Sequence, residues 1–191
     1  AERPDLVLLP GDYIQQHDPL LYKIARAKLN RLFVDAGLSA PVGVFAVEGN
    51  VDAAHLWAQV FENLPVTAFD RSGTVSSGPI SVTGLTLADS FDTARVVEAA
   101  PGFHVVLGHA PDFAMGDIEA DLLIAGHTHG GQVRLPGIGP LITLSRVPRD
   151  WAAGQTDLAE GKTLIVSRGI GMERGRAPRL RFLCRPELVV I

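Results

Sequence analysis

Apolar residues in this chain fall in short runs rather than long stripes. LVLL (6–9), VGVFAV (42–47), FHVVL (103–107) and LLIA (122–125) are each four to six residues long and flanked by glycine, proline or charged residues. Runs of that length with turn residues at their flanks predict buried strands. Between the first two, LLYKIARAKLNRLFVDAG (20–37) carries apolar residues at helical spacing and ends on Gly37, which predicts a helix with a glycine stop. DAAHLWAQVFENL (52–64) predicts a second helix with Asp52 as its N-cap. VTAFD (66–70) and ISVTGLTL (80–87) read as further strands, and DSFDTARVVEAA (89–100) as a helix capped by Asp89 or Ser90. Strand alternating with helix predicts a doubly wound α/β core. Past His129 the pattern changes. QVRLPGIGPLITL, TLIVSRGIG, RLRFLC and ELVVI are short β-type runs broken by Gly, Pro and Arg, with no long helix among them. They predict a second sheet packed on the first.

Four of the strands end alike. LVLLPGD, VFAVEGN, VVLGH and LIAGH each run from apolar residues through glycine to Asp12, Asn50, His109 and His127, and His129 follows one residue beyond the last. In open α/β sheets the crevice outside the carboxyl ends of the strands is where sites assemble, because neighbouring strands deliver their next residues to one edge. Glycine at each exit lets the backbone turn with positive φ or pass close to a bound group. Asp, Asn and paired His, with no thiolate among them, are ligand types for divalent transition ions. A dinuclear hydrolytic centre is the simplest joint explanation.

The 191 residues suit a single domain with a sizeable core, residues 1–191, and are too few for two comfortable ones. With 47% hydrophobic and 20% charged residues the chain reads as globular. A formal net charge of -4, with both signs interspersed, argues against bulk electrostatic binding of nucleic acid. Cys184 is the one cysteine, which excludes an internal disulfide framework and a cysteine-rich zinc site. No apolar run reaches the length of a transmembrane helix and no signal peptide is visible. The pattern is compatible with a cytoplasmic and with a membrane-associated setting. AERPDLVLLPGD enters a core strand almost at once without an initiator methionine, so an upstream segment is expected to be missing.

These residues resemble the calcineurin-like metallophosphoesterases, whose motifs in order are D-x-H, G-D, G-N-H-[DE], G-H and G-H-x-H. GDY, GNVD, GHAP and GHTHGG match the last four in order and rough spacing from Gly11 to Gly131, and SRGIG with LRFLCRPELVVI is similar to the bacterial phosphodiesterase branch. The resemblance implies an α/β/β/α sandwich of two sheets, here without its first strand and so N-terminally incomplete. It also implies two divalent ions, manganese first and iron or zinc next, with Asp12 bridging them. Asn50, His109 and His127 would complete one ion's shell and His129 would ligate the other. The implied activity is hydrolysis of a phosphoester small molecule, diesters preferred, by a hydroxide held between the ions.

Two positions depart from the family pattern. D-x-H is absent, leaving the second ion with only Asp12 and His129, so this chain alone is expected to bind it weakly. Val51 stands where the family has a histidine that assists the leaving group, which favours an activated diester or anhydride over an alkyl monoester. His55, read as one helical turn on, is the candidate replacement. Both departures would equally suit a phosphoesterase fold kept as a non-catalytic binding or scaffold module. An HxH amidohydrolase would carry its HxH early on a (β/α)₈ barrel longer than this chain.

Arg168 in SRGIG is a candidate phosphate contact, and Asp52 could hydrogen-bond a ligand instead of capping a helix. His17 reads as a solvated loop histidine, with lining the mouth of the site as the alternative, and His104 as a strand residue without a chemical role. Arg174, Arg176, Arg179 and Arg181 form a basic stretch that reads as a solvated hairpin or as an anionic-lipid or nucleotide contact.

Overall fold

The computed structural model describes residues 3–172 and 180–191. In it, β1 (Leu6–Leu9), α1 (Pro19–Asp35), β2 (Gly43–Val47) and β3 (Val66–Phe69) build one unit, the three strands forming a parallel sheet in the order β1-β2-β3. The helix starts where Asp18 accepts the backbone N–H groups of Leu20 and Leu21, with Pro19 in the first turn where its missing N–H costs nothing. Then come β4 (Gly73–Ser77), β5 (Ile80–Gly84), a four-residue helix α2 (Leu87–Ser90), β6 (Val96–Val97), β7 (Phe103–Leu107), β8 (Asp117–Ile118) and β9 (Leu122–Ala125). After the paired histidines follow the small hairpin β10 (Arg134–Leu135) and β11 (Gly139–Pro140), then β12 (Gly154–Ala159) and β13 (Lys162–Val166). Six of these strands form a mixed sheet in the order β12-β13-β9-β7-β5-β4, parallel in its centre and antiparallel at both edges.

Side-chain alternation assigns the layers. In β7, β9 and β13 the residues Val105, Leu107, Ile124 and Ile165 meet Phe45, Val47 and Phe69 of the first sheet. Val106, Leu123, Leu164 and Val166, one residue out of phase, bury against Leu85, Val97, Phe113 and Ile118 on the far side. On the outer face of the first sheet, Ala46 packs under Tyr22, Trp57, Val60 and Phe61. The period of two thus turns near-continuous apolar runs into two packed faces per sheet. Each fully buried Val, Leu or Phe contributes about 1.5–3 kcal/mol. The outcome is the expected α/β/β/α arrangement, with β1 paired on one side only among the described residues.

Several local expectations fail. Over 52–64 only a 3-10 turn forms, Trp57–Phe61. His55 adopts φ 66, which interrupts a helix, and Trp57 and Phe61 engage Tyr13 and Phe33 in aromatic contacts instead. Over 89–100 the helix stops at Ser90, with Thr86 rather than Asp89 or Ser90 as its cap. The β-branched pair Val96–Val97 finds a parallel partner in Asp117–Ile118 and sends Val97 into the core. The second sheet is not built from the C-terminal runs alone, since four of its strands precede His127. Phe182 makes a single bridge to Val133, and Leu188 to Ile191 lie exposed outside any ladder of the described residues.

Candidate metal centre

β1 and β2 run parallel and in register, so their exits reach the same edge together. The close approach there requires glycine. A Cβ on Gly49 would lie 2.1 Å from the backbone N of Asp12 and 2.2 Å from its Oδ1, and one on Gly11 would lie 2.6 Å from the backbone N of Gly49. Asp12 therefore comes to rest against the GNV loop, its Oδ1 accepting the N–H of Val51 at 3.1 Å. Asp52 locks the pair. Its Oδ2 accepts from the N–H groups of Asp12 and Gly49, both at 2.9 Å, and its Oδ1 from those of Tyr13 at 2.7 Å and Ile14 at 3.0 Å. It is not a helix cap, as first expected, but the tie between two strand ends. Burial pushes its carboxyl up to about 6, with the Asp12 charge adding to the rise and the backbone donors opposing it. The Tyr13 hydroxyl is shared between the carbonyls of Leu9 and Val47 at 2.8 and 3.0 Å and closes the same junction.

β7 and β9 deliver the imidazoles. His109, 1% exposed at its side chain, donates from Nδ1 to the carbonyl of Pro10 at 2.6 Å. His127 donates from Nε2 to the carbonyl of Leu144 at 3.0 Å. A carbonyl only accepts, so in each neutral ring the other nitrogen carries a lone pair. Those two nitrogens, His109 Nε2 and His127 Nδ1, are 3.1 Å apart, and each faces Asn50 Oδ1, at 2.8 and 2.7 Å. Asp12 Oδ1 is 3.5 Å from His109 Nε2. Four acceptor atoms thus converge. One ligand atom each from Asp12, His109 and His127 falls within 4.8 Å of the others.

Acceptors 2.7–3.5 Å apart repel one another unless a cation sits among them. Donors about 2.1 Å from a shared ion and 90–109° apart lie about 3.0–3.4 Å from each other; the four separations found, 2.7, 2.8, 3.1 and 3.5 Å, bracket that spacing. The donor set, one carboxylate oxygen, one amide oxygen and two imidazoles, suits a divalent transition ion. Burial holds His109 at about 4, below its usual range, with the neighbouring His127 adding to the fall and the Asp12 charge opposing it. The ring is therefore neutral and its lone pair free at neutral pH.

His129 is half-buried beside this group without joining it. Its pKa is lowered by burial, then by the guanidinium of Arg181, while Asp12 opposes the shift. Arg181 Nη2 lies 3.4 Å from His129 Nδ1 and donates to the carbonyl of Arg168 at 2.6 Å. Arg181 is thus a partly buried clamp on the 168–171 loop rather than a solvated hairpin residue; Arg174, Arg176 and Arg179 lie outside the described residues. Between the histidines, buried Thr128 donates to the carbonyl of Ala152 at 2.6 Å and pins the loop from behind.

The remaining candidates divide. Arg168, expected as a phosphate contact, is paired with Glu187: its Nε bonds that carboxylate at 2.7 Å, its Nη2 pairs with it too, and its backbone N–H donates to Oε1. His17 and His55 are exposed, and the electrostatic neighbour of His55 is Glu48. His104 is buried between Thr83 Oγ1 and the Glu119 carbonyl at 2.7 and 2.8 Å, a satisfied core histidine. Val51 reaches Asp12 through its backbone alone. Sequence reasoning passed over three neighbours: Phe91, whose ring stands edge-on to His127 at 4.9 Å, the carbonyl of Leu144, and Asp112 behind it. A carbonyl leaves no residue-type signal. Asp112 does carry one, standing three residues after His109 in the turn that Pro111 opens.

Four candidate ligands and neighbours hold left-handed backbone conformations without being glycine: Asp12 at φ 64, His127 at 65, His129 at 48 and Leu144 at 54. Each costs on the order of 1–3 kcal/mol, and such residues gather at functional sites.

Comparisons with known proteins identify the family. The calcineurin-like phosphoesterase model matches residues 1–131, which hold every candidate ligand. The chain is 31% identical to the uncharacterised metallophosphoesterase YkuE of Bacillus subtilis, over 98% of this chain and 67% of that protein. It is 29% identical to the phosphodiesterase YaeI of Escherichia coli, over 100% of this chain and 70% of that one. A metallophosphoesterase of Aquifex aeolicus is 26% identical, with 100% and 73% covered. Strand order, converging donors and these matches together make the chain a member of the calcineurin-like phosphoesterase family.

Proposed function

We propose that this chain is one metallophosphoesterase domain that hydrolyses phosphodiesters with the help of divalent metal, holding its first ion through Asp12, Asn50, His109 and His127. The observation that carries the reading is the pair of imidazoles whose N–H ends are spent on the carbonyls of Pro10 and Leu144, so that both lone pairs meet Asn50 Oδ1 and the Asp12 carboxylate. With the amide of Asn50 turned over, its NH2 would fill both lone pairs; the orientation found serves a cation. Manganese is the first choice, iron or zinc next. His129, with Asp12, is the start of a second position.

Such an ion supplies Lewis acidity to a phosphoryl oxygen and to the attacking water. The protein's own part is positioning and charge. Asp12 is the single carboxylate of the four donors, so the group with an ion bound stays net positive and admits an anionic phosphoester. The Val51 N–H holds Asp12 Oδ1 in place, while its side chain has no proton to give a leaving group. A diester with a leaving group stable as an anion suits that site better than an alkyl monoester. The name of the relative YaeI, a phosphodiesterase, supports the same preference.

The test compares bis(p-nitrophenyl) phosphate with p-nitrophenyl phosphate on manganese-loaded protein, with metal per chain measured by elemental analysis. The diester is expected to turn over faster, and Asp12→Asn is expected to lose metal and at least about 100-fold of the rate. Equal rates with and without chelator, or a preference for the monoester, would overturn the proposal. Tight metal binding with no turnover of either ester would support the scaffold reading instead.

A further inference from the structure

A buried carboxylate stands behind the centre with no part in holding an ion. Asp112 lies in the 3-10 turn Pro111–Met115 and is 1% exposed. A carboxyl that deep persists only if its lone pairs are met. Both of its oxygens are engaged by one short segment: Oδ2 accepts from Ser145 Oγ at 2.5 Å, and Oδ1 from the backbone N–H of Arg146 at 2.9 Å. Ser145 Oγ in turn accepts the N–H of Val147 at 3.3 Å.

The residue just before this clasp is Leu144. Its backbone is left-handed at φ 54, a conformation a leucine does not choose, and the residue is 54% exposed, so apolar burial does not hold it there. What holds it is the clasp on the next two residues. The consequence falls on the Leu144 carbonyl, which points at His127 and takes the Nε2 proton at 3.0 Å.

We propose that Asp112 is a positioning residue for His127, acting through Ser145 and the strained Leu144 carbonyl to hold the imidazole in its Nε2–H tautomer with Nδ1 turned to the other donors. This rests on the reading above that His127 ligates an ion. Outer partners of ligating imidazoles fix the tautomer and the ring orientation. Of the other contacts to this ring, the edge-on face of Phe91 at 4.9 Å is blind to which nitrogen carries the proton, whereas Asn50 Oδ1 and His109 Nε2 face Nδ1 at 2.7 and 3.1 Å, so the Nε2–H tautomer depends on the Leu144 carbonyl outcompeting a proton on Nδ1. His109 has its tautomer set by Pro10, a residue of the adjoining strand end. Among the described residues the Nε2 partner of His127 is the loop carbonyl of Leu144, and the Asp112 clasp supplies from a loop what Pro10 supplies from a strand end.

The experiment measures manganese affinity by calorimetry on the full chain for Ser145→Ala and Asp112→Asn. Alongside it, 15N NMR of histidine-labelled metal-free protein reads the His127 tautomer, and the unfolding midpoint is recorded for each variant. Both variants are expected to bind manganese about 10- to 100-fold more weakly, with His127 moving from pure Nε2–H to a mixture of tautomers. A role confined to stability would lower the midpoint and leave the tautomer unchanged. Ser145→Ala removes only a hydroxyl and keeps the test alive if Asp112→Asn does not fold. Affinity within about twofold of the native chain, with His127 still Nε2–H, would overturn the proposal. His127→Ala is measured in parallel: if it too keeps native affinity, what fails is the assignment of the centre itself.

Discussion

His109 is the most buried of the candidate ligands, and its burial makes a quantitative prediction about acid. Its folded pKa is held at about 4, chiefly by burial, against an ordinary value near 6.5. A group depressed in this way adds stability that is fully present above 6.5 and is lost as pH falls toward 4. Each unit of difference is worth 1.36 kcal/mol, so the metal-free chain should lose roughly 3 kcal/mol from this residue between pH 7 and 4. His129, lowered by burial and by Arg181, acts in the same direction. The assay is urea unfolding of metal-free protein at several pH values between 7 and 4.5, with His109→Gln as the reference that cannot titrate. The native chain should lose about 2–3 kcal/mol more than the variant across that range. If both lose stability in parallel, burial does not control this imidazole, and the account of its free lone pair at neutral pH falls with it.

Asp52→Asn replaces one accepting oxygen by an amide NH2, so one pair of backbone donors, Asp12 and Gly49 or Tyr13 and Ile14, is left facing another donor. At about 1–2 kcal/mol for each half-buried N–H left unmet, the expected loss is about 2–4 kcal/mol in chemical unfolding at pH 7, and a loss under about 1 kcal/mol would show that water serves those donors equally well. Arg168→Ala should leave the diester KM within about twofold, because its guanidinium is engaged by Glu187; a rise of tenfold or more would restore the phosphate contact expected from the sequence.

How much was legible beforehand follows from how local each feature is. A strand, its glycine and the next residue form one short word, so LVLLPGD, VFAVEGN, VVLGH and LIAGH could place Asp12, Asn50, His109 and His127 at strand exits without tertiary information, although those exits belong to two sheets and not to one. The layers were legible only through the family resemblance, because runs that look alike on their own divide between two sheets, β1 and β2 in one and β7 and β9 in the other. Features that depend on distant partners were not legible. Asp52 looked like a cap because caps are local, whereas its donors at Asp12 to Ile14 lie 38 to 40 residues away. Arg168 looked free because its partner, Glu187, lies 19 residues on in an irregular segment. The helix expected at 89–100 was lost to a two-residue parallel pairing, Val96–Val97 with Asp117–Ile118, that outweighs a weak helical propensity by burying Val97.

The centre is held together against its own electrostatics. Two imidazole lone pairs, an amide oxygen and a carboxylate face one another at 2.7–3.5 Å, and strained backbones at Asp12 and His127 keep them there. Nothing among these four groups favours that arrangement in the absence of a cation. The force comes from outside them: the Asp52 carboxylate on the β1 and β2 exits, the Pro10 carbonyl on His109, and the Leu144 carbonyl on His127. Two of these restraints are tied to strand ends and the third, the Leu144 carbonyl, comes from a loop, so the cost of gathering the donors is met by folding and not by the ion when it arrives. A site arranged this way needs no closing motion to bind metal, and its affinity should be set by how firmly those outer ties are kept.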